Sequence, residues 1–179
     1  MKAVLLSLAV LSLALPGCSD HRTPASALIN ADASLPAGLP YDPLQWRIID
    51  STVDQRAATM STLFGNDPAV DHARSEATGA WPPGSVLALV TWEQQSDPRW
   101  FGAQIPGRIK SIEFVTANST PEKGLSFSYQ RFEGAPLKQT PTPDAVEAAQ
   151  VRQILGHKAS MMPDVAQPSL PSNAHTIQL

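Results

Sequence analysis

The chain has 179 residues, a formal net charge of −3 at pH 7 and one cysteine. The absence of a basic block argues against nucleic acid as a partner. A single thiol excludes a disulfide within the chain, and any zinc or iron–sulfur centre built on several thiolates.

The N-terminus reads as an export signal. Met1-Lys2 supplies one positive charge, and Ala3 to Leu15 is an apolar run broken only by Ser7 and Ser12. That run is too short for a permanent membrane span and lacks a stop-transfer flank. Leu15-Pro16-Gly17-Cys18 resembles the bacterial lipobox. The resemblance implies cleavage after Gly17, diacylglycerol on the Cys18 sulfur, and further acylation of palmitate type. Several acyl chains are what stable anchoring requires. The mature protein would then sit on the membrane through Cys18, at the periplasmic face of the cell envelope. Ser19, rather than Asp, follows the cysteine, which favours the outer membrane.

Residues 18–40 are polar, Ala-rich and Pro-rich without period, and read as a flexible tether after the signal at 1–17. Residues 41–162 read as one folded domain, and 163–179 as a disordered tail. Within the domain, Trp46 to Val53 is rich in β-branched residues and predicts a strand. Ala58, Met60, Thr62 and Phe64 alternate with polar neighbours and predict a second, ending at Gly65-Asn66. Asp67-Pro68 has the chemistry of a helix start, with Asp67 as cap and a short helix to about Glu76. Trp81-Pro82-Pro83-Gly84 is a turn. Ser85 to Trp92 is apolar on both faces, as a central buried strand is. Gln94 to Arg108 reads as a long loop, Ser111 to Ala117 as a strand, and Thr120 to Gly124 as a hairpin connection. Leu125, Phe127 and Tyr129 then mark a half-exposed strand. Thr142-Pro143-Asp144 opens the longest helix, with Val151, Ile154 and Leu155 inward and an end near His157 or Ser160. The expected fold is α+β: a mainly antiparallel sheet, one short helix and a C-terminal helix packed on the sheet.

Catalytic signatures are missing. There is no G-x-S-x-G, no H-E-x-x-H, no Walker loop and no G-x-G-x-x-G after a strand. Of the four histidines, His21 falls in the tether and His175 in the tail. His72 reads as part of a solvated helix face, and His157 as a residue suited to a helix C-terminus. The carboxylate pairs Asp50/Asp54 and Glu93/Asp97 read as edge solvation rather than acid–base machinery. Trp92, Trp100 and Phe101, with Arg99 and Arg108, bracket the long loop. They could wall a flat apolar cofactor and pair its carboxylates, or form a lid packed on the sheet.

The domain resembles the cytochrome P-460 family, whose members include cytochrome c′-beta. The matching residues are Trp46-Arg47-Ile48-Ile49, Met60 to Asp67, the short helix, and Trp81 to Val90. The resemblance implies an antiparallel β fold holding one haem, attached through Cys-x-x-Cys-His with the histidine as proximal ligand. Here the similar stretch is Gln153-Ile154-Leu155-Gly156-His157. His157 keeps its place as the candidate metal and cofactor ligand, but Gln153 and Gly156 replace both cysteines, which removes covalent attachment. A lysine that cross-links to haem in some members matches Leu89. Two readings follow. One is a binding or scaffold module that holds no covalent cofactor or none at all. The other is a non-covalent haem protein with His157 as proximal ligand and an apolar distal side from Phe114, Phe127 or Phe132. It would bind or turn over a small gas or nitrogen compound. An enzymatic role would need a proton-handling carboxylate, for which Glu93 and Glu113 are the candidates.

Overall fold

A computed structural model describes residues 29–75, 79–122 and 124–160. The export signal, Cys18, His21, the tail and His175 lie outside the described residues. All the strands and helices named below lie in one compact unit, which begins at Ala31.

Six strands run β1 (Arg47–Asp54), β2 (Thr59–Gly65), β3 (Val86–Ser96), β4 (Gln104–Thr120), β5 (Gly124–Glu133) and β6 (Lys138–Thr140). They form one sheet in sequence order, every neighbour antiparallel. Each strand folds back on the last, so a meander results without crossovers. Helix α1 (Asp67–Arg74) follows β2, and α2 (Asp144–Leu155) follows β6.

The antiparallel sheet with two helices agrees with the sequence pattern, but several bounds differ. The stretch expected as a loop from Gln94 to Arg108 is largely strand: β3 continues to Ser96 and β4 begins at Gln104. β6 leaves no mark in the sequence, because three polar residues carry no period. The α1 cap is Asn66, not Asp67. Its Oδ1 accepts from Ala69 N at 3.3 Å and Val86 N at 2.9 Å, while Nδ2 donates to the Gly84 carbonyl at 2.8 Å. One amide thus caps the helix and pins it to the start of β3, which a carboxylate, lacking a donor, cannot do.

The sheet is covered on both faces. On the helix face, Ile49, Leu63, Leu87, Leu89 and Val115 pack with Ala69 and Val70 of α1 and Ile154 of α2. On the opposite face, Phe64, Ala88, Val90, Trp92, Ile112 and Phe114 pack together. Ala33, Leu35 and Leu39, from the stretch read as tether, lie against this second cluster. Trp92 Nε1 donates to the Ala33 carbonyl at 3.0 Å, which satisfies the indole and secures that segment.

Candidate functional site

β1 carries a bulge. Ile48 pairs with Phe64, yet the next paired residue, Asp50, faces Leu63. The extra residue lets Ile49 and Asp50 both serve the helix face, since a bulge re-aims side chains that strict alternation would send to opposite sides. Ile49 then enters the core beside Gly65, where any Cβ would come within 2.6 Å of Ile49 Cδ1. Asp50 meets the chain leaving α2. Its Oδ2 lies 2.9 Å from His157 Nδ1, and its Oδ1 accepts from Ser160 Oγ at 2.6 Å. Ser160 N donates to the Ile49 carbonyl at 2.8 Å. A carboxylate only accepts, so the ring proton sits on Nδ1.

This clamp has a pH signature. The Ser160 hydroxyl first, then His157, hold the Asp50 carboxyl below its usual value, against the opposing effect of partial burial. A group whose pKa is depressed by folding stabilises the fold above its unfolded pKa and loses that contribution as pH falls through the folded one. The stability gap between the protein and Asp50→Asn, read from urea midpoints, should therefore be wide at pH 6 and close below about pH 4. Ser160→Ala should narrow the gap at pH 6.

The residues expected around His157 are divided between the two faces. Phe127 packs against the helix-face cluster, but Phe114 and Phe132 belong to the other face, where they stack edge-on at 5.9 Å. An apolar wall built from all three does not exist. Leu89 is buried at 8 % exposure among core residues. The loop aromatics wall nothing either: Trp100 is 71 % exposed and Phe101 fully so. Arg108 pairs instead with Glu93 at 3.2 Å. His72 is not simply solvated, because its ring lies 4.4 Å from that of Trp81. Asp54 accepts from the turn amides of Arg56 and Ala57, a structural duty separate from Asp50.

A second polar group sits deeper. Glu113, on β4, is buried at 5 % exposure. Tyr129 Oη donates to its Oε2 at 2.5 Å, and Arg131 Nη1 lies 3.4 Å from its Oε1. Arg131 Nε also reaches Glu133 at 2.8 Å. Burial, then the bond to Glu113, pushes the Tyr129 phenol above its ordinary range, so it stays a donor throughout physiological pH. Between β2 and β3, Ser61 and Thr91 share a hydrogen bond at 3.0 Å. Two shallow clefts, about 270 and 400 Å³, meet at the exposed Glu93–Arg108 pair. Among the described residues no cluster of three or more His, Cys, Asp or Glu could hold a metal.

The six-stranded meander, α1 and the first half of α2 fall in a stretch that a known family covers. The family model Cytochrome P460 matches residues 40–150. The chain belongs to the cytochrome P460 family. No curated protein matches it. The matched stretch ends before Gln153–His157, so the segment that resembles the attachment motif lies beyond it.

Membership in the cytochrome P460 family raises haem, and the residues present can be tested against it. The donor is suitable: with Nδ1 on Asp50, the Nε2 of His157 is the nitrogen a metal would use, and such a carboxylate is a common partner of a ligating imidazole. The space is not suitable. Ile49, Leu63, Leu87, Val115 and Ile154 are each at most 2 % exposed, so the apolar floor next to the clamp is already occupied by protein. Neither thiol of the attachment motif is present. The residues do not fit a haem. Sequence reasoning finds His157 but misses Asp50 and Ser160 as its neighbours, and Tyr129 and Arg131 as those of Glu113. Partners so distant in the chain leave no local pattern.

Proposed function

We propose that this cytochrome P460 protein is an envelope lipoprotein, anchored through acyl chains on Cys18 at the periplasmic face of the outer membrane. Its domain then works as a cofactor-free binding or scaffold module. The anchor is read from Leu15-Pro16-Gly17-Cys18, and the single observation behind the cofactor-free reading is the combination at the end of α2. His157 is tied to Asp50 as part of a three-residue clamp, and the apolar slot beside it is filled by Leu63, Leu87 and Ile154. A clamp that fastens a helix to an edge strand preserves the fold whether or not a ligand is present. Glu113 is likewise committed to Tyr129 and Arg131, so its contacts are structural rather than aimed at a substrate.

The experiment is a haemin titration of the purified mature chain, read by visible absorbance. At stoichiometric haemin the spectrum should remain that of free haemin, for the protein and for His157→Ala alike. A Soret band that shifts on mixing and disappears in His157→Ala would overturn this reading and restore His157 as a proximal ligand.

A further inference from the structure

The β3–β4 hairpin outruns its neighbours. β2 pairs with β3 only as far as Glu93, and β5 pairs with β4 only from Ser111. Gln94 is still held, its N donating to the Ala58 carbonyl at 2.8 Å and its Nε2 to the Thr59 carbonyl at 3.1 Å. Beyond it, Gln95↔Ile105 and Ser96↔Gln104 form a short two-stranded arm outside the register of β2 and β5. A lone ribbon of this kind is marginal in water. Its tip is nevertheless well made: Asp97 N donates to the Ala103 carbonyl at 3.0 Å, Ala103 N to the Trp100 carbonyl at 3.1 Å, and Arg99 N to Asp97 Oδ1 at 2.7 Å. That turn displays Trp100 and Phe101, the two most exposed large apolar side chains among the described residues.

We propose that this aromatic tip is a second membrane contact, inserting Trp100 and Phe101 into the interfacial layer of the bilayer that carries the anchor. The inference rests on the lipoprotein reading. Three observations single out lipid as the occupant. The folded unit begins at the root of the arm: Ala33 accepts from Trp92, and Asp32 lines a cleft with Glu93, Gln95, Gly107 and Arg108. The stretch from Cys18 to Ala31 could reach about 45 Å if fully extended, while the strand of the arm, from Glu93 to Ser96, rises only about 10 Å before the turn. The anchor can therefore hold the tip at the bilayer surface. The arm is also nearly neutral, its ionisable side chains between Gln94 and Ile105 being Asp97 and Arg99. Trp and Phe beside a compensated charge pair suit the headgroup boundary, where aromatic rings concentrate.

The test uses the full mature chain with Cys18→Ser, free of lipid, and phosphatidylcholine vesicles with or without brominated acyl chains. The chain should sediment with the vesicles, and bromine should quench its tryptophan fluorescence. Trp100→Ser with Phe101→Ser should lower partitioning about tenfold or more and leave the circular dichroism unchanged. Equal partitioning of the two chains, or none by either, overturns the proposal. So does a concentration-dependent dimer that the double substitution abolishes, which would assign the tip to a second copy. Cell fractionation separates this from the anchor itself. If Cys18→Ser leaves the full precursor as membrane-bound as the original, the lipid reading fails while the vesicle result stands on its own.

Discussion

Glu113→Ala should destabilise the domain by about 3 kcal/mol, read as a lowered urea midpoint with little change in slope. The size follows from what the substitution leaves behind. Glu113 is buried at 5 % exposure, and it accepts from Tyr129 Oη and neutralises Arg131. Without it, the Tyr129 phenol loses its acceptor in the half-buried face of the sheet, and Arg131 keeps only Glu133. Unpaired buried donors cost more than the net gain of the bond they made. Partial exposure of Arg131, at 27 %, lets water recover some of the loss, so the effect should fall at the lower end of the range for broken buried pairs. Tyr129→Phe should cost less, because Glu113 keeps Arg131. In the double variant the two effects should be clearly less than additive, since both report on one network. A Glu113→Ala effect within about 0.5 kcal/mol, the range of an ordinary surface substitution, would show that the network contributes nothing.

Ile154→Ala should cost about as much, roughly 3 kcal/mol, or about 10 °C in Tm for a domain of this size. Ile154 is fully buried in the cluster with Leu63, Leu87 and Val115, and Val151 and Leu155 only partly join it. It is the main apolar link between α2 and the sheet. α2 touches β5, and the residues just after it reach β1, where His157 and Ser160 meet Asp50. Removing the Ile154 side chain leaves a cavity and loosens the segment that delivers the clamp. Amide exchange of the last turn of α2 should accelerate along with the loss of global stability. Val146→Ala on the same helix is the control: its side chain is 47 % exposed, and the change should stay within about 0.5 kcal/mol. Equal effects at the two positions would mean that α2 is not held by its buried face.

Each of these variants, and the Asp50 clamp, tests a contact between separate elements. Asp50 and His157 are 107 residues apart, and Glu113 and Tyr129 lie on neighbouring strands joined by a hairpin. The first pair has no signal in the sequence. Asp50 stands four residues before Asp54 and reads as half of a surface pair, while His157 reads as a cap suited to a helix dipole. The second pair is half legible: Tyr129 alternates correctly with its neighbours, and Glu113 stands inside an apolar strand, where a carboxylate needs a partner. Which partner depends on strand register, and register is set by the packing of whole faces.

What the sequence by itself determined were the features written in short windows. The β-branched run of β1, the alternation of β5, the doubly apolar β3, the helix starts around Pro68 and Pro143, and the absence of the two thiols needed to attach a haem all depend on residues close in the chain. Local sterics, capping chemistry and covalent capacity act at that range. Tertiary structure alone decided the rest. It extended β3 and β4 into a projecting arm where Gln, Gly and Pro carry no period, sent Phe114 and Phe132 to the face away from His157, and laid Leu35 and Leu39 on the sheet. It also used a bulge to turn Asp50 toward the end of α2. The physical reason is the same in each case: these outcomes follow from which apolar surfaces can be buried together, and that free energy belongs to pairs of elements rather than to either one alone.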